Sequence, residues 1–214
     1  MFYGGEWVRR NGKEIFEPFY ERNVDCSAYT MTLGAEAFIS RSNDHSDQQE
    51  ATMLDKDSTL VIPAGQFAYL LTRENVKIPE DVFALINIKN KFKVQGLVNV
   101  SGFHVDPGYN GKLIFAVFNA GSKDIFLRGE ERIFLIWFSE LKESSAQYAY
   151  GKDGIKKIES DLMNQIPQHS ASLSSLDLRM RKIEKSTTDV KRSIKAIIIG
   201  IFISVVAGVA LKLF

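Results

Sequence analysis

Residues 96–138 read GLVNVSGFHVDPGYNGKLIFAVFNAGSKDIFLRGEERIFLIWF. Short apolar runs alternate there with turn residues: GLVNVSGF (96–103), KLIFAVFNA (112–120), DIFLRG (124–129) and RIFLIWF (132–138). Each run has the length and β-branched, aromatic content of a strand, and each break carries Gly, Asn or Asp. Between the first two runs, Gly102, Pro107, Gly108 and Gly111 surround one buried-looking acid, Asp106. Asp-Pro-Gly is a good turn sequence in its own right, so capping the turn is one use for that acid.

Working outward, TLVIPAGQFAYLLT (59–72) and DVFALINIK (81–89) add further strands. Six or more strands with no long helical period between them predict an all-β sandwich or barrel. Residues 40–58 are polar and read as an exposed loop. Lys+Arg 27 against Asp+Glu 26 leaves no global field that favours nucleic acid. Cys26 is the only cysteine, which excludes an intrachain disulfide and suits a reducing compartment. The first residues lack the apolar core of a secretory signal.

The period changes towards the C-terminus. Leu173, Leu176, Met180, Ile183, Thr187, Val190 and Ile194 alternate spacings of three and four, the seam of a coiled coil, and the seam runs on through Ile197 and Ile201. An amphipathic helix packed on the β-domain is the alternative. Pro167 places the helix start near or after it, with Ser170 or Ser172 as cap. Residues 196–211 carry no charge, about 24 Å of helix. Lysine stems at both ends extend that reach by snorkelling. The expectation is a single C-terminal transmembrane helix at 196–214, with the β-domain held on the cytoplasmic side by the basic residues before it. The expected domains are a β-domain at 1–142, a linker at 143–170, a coiled-coil helix at 171–195 and the anchor.

IPAGQFAYLLTRENVKIPEDVFALI (62–86), followed by the hairpin GFHVDPGYNG, the strand with NAGSKDIFL and the strand RIFLIWF, resembles the dCTP deaminase and dUTPase superfamily over roughly residues 15–140. The resemblance implies a dUTPase-like distorted β-barrel and a homotrimer with sites between subunits. It also implies that the hairpin is a pyrimidine deoxynucleotide pocket. Gly102 and Phe103 would let backbone approach the base, Asp106 would lie near the sugar and the reacting water, and Tyr109 would pack on the deoxyribose. His104 would share a strand face with Asp106 and assist if the protein is active.

Several positions depart from the family pattern. Where the family has Arg-Ser-Ser for phosphate, this chain has Lys89, Asn90 and Lys91, so a lysine's point charge stands in place of a guanidinium fork. Such lysines serve equally to solvate a strand edge. Ala116 occupies the position of the deaminase glutamate, and a methyl shuttles no proton. Thr30 stands where the early motif has aspartate, and no closing lid is evident after residue 142. Three readings remain open: a nucleotide-binding pseudoenzyme or sensor, an active triphosphate hydrolase or deaminase with hydrolysis the better of the two, and a scaffold with its pocket filled by Phe103 or Phe115. No protein metal site is expected, and Mg²⁺ enters only with a bound triphosphate.

Overall fold

The computed structural model describes residues 1–40, 51–143, 154–164 and 173–213. It divides into two units, Met1–Ala171 and Ser172–Phe214.

Two short strands explain the shape of the first unit. β7 (Leu97–Asn99) lies at one edge of a sheet and β8 (His104–Val105) at the other, in the order β7-β9-β5-β2-β11-β6-β8. Its other members are β9 (Asn110–Asn119), β5 (Phe67–Lys77), β2 (Tyr29–Ile39), β11 (Arg132–Glu140) and β6 (Val82–Ile88). Laid flat, the six spacings between the edges would hold them roughly 29 Å apart. The link at 100–103 reaches at most about 17 Å. The sheet therefore has to curl until its edges meet. Hydrogen bonds complete the closure: Val100 and Ser101 donate to the carbonyl of Ala116 on β9, at 2.9 and 3.2 Å, and Ile86 on β6 donates to that of Phe103 at 2.8 Å.

β1 (Phe16–Glu17) and β3 (Thr52–Met53) extend this sheet beside β5 and β2, while β4 (Thr59–Ile62) and β10 (Ile125–Arg128) form a separate pair. β9 shows how the core is filled. Leu113, Phe115 and Val117 point inward and are buried, while Ile114, Ala116 and Phe118 are half-buried on the outer face. Phe115 stacks on Phe134 at 4.1 Å, and Phe16 stacks on Tyr29 at 3.9 Å.

The all-β expectation holds for the curled sheet, the C-terminal helix was expected, and the described residues add shorter helices. α1 (Gly5–Ile15) buries Val8, Gly12 and Ile15, spacings of four and three on one face. α2 (Asn90–Lys93) is one turn, and α3 (Ser160–Asn164) and α4 (Leu173–Leu213) follow the barrel. Of the polar loop at 40–58, residues 41–50 lie outside the described residues, and Thr52–Met53 is a strand beside Glu36 and Ala37. The expected caps Ser170 and Ser172 also lie outside them.

The C-terminal expectation is corrected. Among the described residues, no helix is long and apolar enough to cross a membrane. The side chains described on α4 run from Met180 to Ile201 and include Arg181, Lys182, Lys185, Lys191, Arg192 and Lys195. The transmembrane anchor and the cytoplasmic-side placement built on it therefore do not stand.

Candidate functional site

The hairpin is assembled by backbone bonds. Tyr109 N–H returns to the Asp106 carbonyl at 3.3 Å, Gly108 N–H reaches Ile78 O at 3.1 Å, and Ile78 N–H reaches Tyr109 O at 2.8 Å. Gly108 has φ of +77°, a conformation that costs other residues energy, so the turn needs glycine there.

The carboxyl group does not sit inside this turn. Asp106 is 75% exposed at its side chain, which corrects the buried-looking reading: the turn is closed by main-chain atoms and leaves the acid free. Its Oδ1 lies 3.6 Å from Nε2 of His104, ion-pair distance when the imidazole is protonated. Alternation along β8 turns His104 outward beside Val105, which is buried. The imidazole stacks on Phe83 at 5.6 Å and meets the edge of Phe103 at 5.1 Å. Acid, imidazole and two aromatic rings thus share one outward face.

Tyr109 behaves differently. Its ring packs against the core, its hydroxyl donates to the Lys112 carbonyl, and it accepts the Ile155 N–H at 3.3 Å. Burial raises its phenol pKa above the ordinary value. That contact comes from a segment that no sequence pattern placed here. Gly154 and Ile155 lie against β9, with Lys112 N–H on Ile155 O at 2.7 Å and Gly154 N–H on Asn110 O at 2.9 Å. A Cβ on Gly111 would stand 2.5 Å from the Cα of Gly154, so both glycines are needed for the crossing. Farther on, Ile158 and Met163 bury themselves with Phe38 and Leu71, and Ile158 N–H donates to Glu36 at 2.9 Å. The glycine pair and the apolar Ile155 and Ile158 were the only signals in the sequence.

The lysines have partners of their own. Lys89 precedes α2, and its N–H bonds Ile133 O at 2.8 Å. Lys91 Nζ pairs with Glu131 at 2.9 Å, which leaves it less free for phosphate than the sequence implied. Ala116 faces outward on β9 opposite Tyr69 of β5, and Thr30 is buried on β2. Gly102 has open space about it. Phe103 is 66% exposed and Phe115 is sealed in the core, so neither fills a pocket. A groove of about 540 Å³ beside β1 is lined by Lys13, Phe16, Pro18, Asn75, Lys77 and Asn110, and none of the singled-out site residues borders it. Among the described residues, no group of three or more His, Cys, Asp or Glu is placed to hold a metal.

Residues 6–141 match the model of the dCTP deaminase-like family, and the chain belongs to that family. It is 34% identical over 134 residues to a dCTP deaminase of Thermococcus sibiricus, covering 62% of this chain and 80% of that one. A Pyrococcus abyssi dCTP deaminase is 31% identical over 146 residues, covering 68% and 87%. The fold is similar to the crystal structure of 2′-deoxycytidine 5′-triphosphate deaminase from Agrobacterium tumefaciens, with a TM-score of 0.53 at 15% identity. That match covers 64% of this chain and about half, 47%, of the other.

Proposed function

We propose that this chain binds a pyrimidine deoxynucleoside triphosphate at the 100–113 hairpin without deaminating it, as a homotrimer that senses the nucleotide. The observation that carries this reading is Ala116: a methyl faces outward from β9 where the resemblance implies the deaminase's proton-shuttling acid. The hairpin beside it is intact, with an exposed carboxylate at Asp106 and open space at Gly102. The exposure of Asp106, Phe103 and Val100 in a single chain suits a site completed by a neighbouring subunit. With no carboxylate cluster among the described residues, Mg²⁺ would arrive on the triphosphate.

A second reading has its own support. His104 and Asp106, 3.6 Å apart, form the pair that a water-activating base and its orienting acid require, so hydrolysis of a pyrophosphate bond is the alternative.

One experiment separates the two. The full chain is titrated by calorimetry with dCTP, dUTP and their ribonucleotide counterparts in Mg²⁺, and the mixtures are then resolved for deaminated and hydrolysed products. Binding without turnover, weakened about tenfold or more by Asp106→Ala, is the expected result. Phosphate-bond hydrolysis that His104→Ala removes would establish the second reading, and deamination would overturn both.

A further inference from the structure

We infer that α4 assembles with two further copies of this chain into a parallel three-stranded coiled coil, a conclusion independent of any nucleotide. Met180, Ile183, Thr187, Val190, Ile194, Ile197 and Ile201 recur at three-four spacing along one continuous helix. The six apolar members are each 51–65% exposed, so a long apolar stripe stands in the single chain without a cover. A strict seven-residue repeat drifts by about 20° per heptad on a straight helix, and only left-handed winding about a like helix keeps it facing its partner.

The polar member of the stripe fits burial. Thr187 Oγ1 donates to the Ile183 carbonyl at 2.8 Å within its own helix, so its methyl can enter the seam and no donor is left unpaired. Up to residue 195, Lys182, Lys185, Asp189, Arg192 and Lys195 fall away from the seam, while farther on Ile198 and Ile199 are exposed beside it. Like helices suit each other electrostatically. In parallel register, the position of Arg179 falls opposite that of Glu184, and the seam-flanking Ser186 sits opposite Lys191, so no like charges meet.

The side-chain shapes argue against two strands. Taking Met180 as heptad position a, the d positions are Ile183, Val190 and Ile197, and the later a positions are Thr187, Ile194 and Ile201. Two-stranded parallel coils favour Leu at d, whereas branched residues at both positions favour three or more strands.

Single cysteines placed in the full chain, in a Cys26→Ser background, test this directly. Ile183→Cys and Val190→Cys sit in the seam, while Lys185→Cys and Arg192→Cys sit on its far side. In a parallel, in-register assembly each seam cysteine meets its own copy. Both should therefore oxidise to linked chains at least tenfold faster than the outer pair, and a three-armed maleimide should give a three-chain product. Equal rates at all four positions, or linkage at only one seam position, would overturn the parallel seam. A product that stops at two chains would overturn the trimer. Nucleotide titration of the same variants reports the barrel separately, so loss of one property leaves the other readable.

Discussion

The carboxylate of Glu74 on β5 accepts two hydrogen bonds from Thr32 on β2, from its N–H and from its hydroxyl, each at 2.9 Å. Glu74 is fully buried in the barrel wall, where the pairing of β5 with β9 shifts register between Leu71 and Asn75, and Thr32 provides both of these partners. Burial raises the carboxyl pKa; the Thr32 bonds, the residue's own N–H and nearby Arg73 oppose that rise. Arg73 itself is committed to Glu130 at 2.7 Å.

This arrangement predicts an unusual pH response. A folded-state pKa above the unfolded value means that the folded chain holds the extra proton between the two. Stability attributable to Glu74 is therefore greatest below the unfolded value, about 4.3. It declines as pH rises to the raised folded pKa and is flat beyond. Glu74→Gln should abolish that decline, read as the difference between wild-type and variant melting temperatures across the acid range. A difference that grows with falling pH in favour of the variant would refute it. Glu74→Ala leaves the Thr32 donors unpaired and should cost about 2–4 kcal/mol.

Phe115 and Phe103 should respond in opposite ways. Phe115→Ala removes a buried ring stacked on Phe134 and should cost about 3–5 kcal/mol in urea denaturation. Phe103→Ala, at an exposed ring, should change stability by less than about 0.5 kcal/mol while weakening nucleotide binding in the titration described above.

The glycines of the hairpin separate folding from recognition. Gly108→Ala forces a side chain to a φ of +77° and should destabilise by about 1–2 kcal/mol. Gly102→Ala adds a methyl that meets nothing within 4 Å. Its denaturation midpoint should stay put and its nucleotide affinity should fall.

Tyr109→Phe removes the bonds to Lys112 and Ile155 and keeps the packed ring. About 0.5–1.5 kcal/mol of local stability should be lost. Hydrogen exchange should show faster labelling at the Lys112 and Ile155 amides, with the core strands unchanged.

The sequence disclosed the strands whose apolar runs are bounded by turn residues, β9 and β11 most clearly, because both faces of those strands are at least half covered. It also disclosed the turn, since Asp-Pro-Gly combines a fixed φ with a residue free to adopt a positive one. α1 stayed hidden because its buried stripe is only Val8, Gly12 and Ile15, too small an apolar signal in an otherwise polar stretch. Glu74 gave no hint of burial, since its partner Thr32 lies far off in sequence. The candidate site was legible as residue types, but Asp106 was misjudged as buried, because exposure depends on which atoms close a turn. The expected membrane span rested on the uncharged run at 196–211 and the lysines at its ends, and among the described residues no helix is long and apolar enough to provide one.

The link at 100–103 joins the two edges of the sheet and also forms the rim of the candidate site. Mechanically it is a clasp: lengthening it would let the barrel gape, and shortening it would tear the Val100 and Ser101 bonds from Ala116. Those bonds use the carbonyl of Ala116 and are indifferent to its side chain. The side chain at 116 can therefore vary without loosening the barrel, while the rim around it is held to one shape.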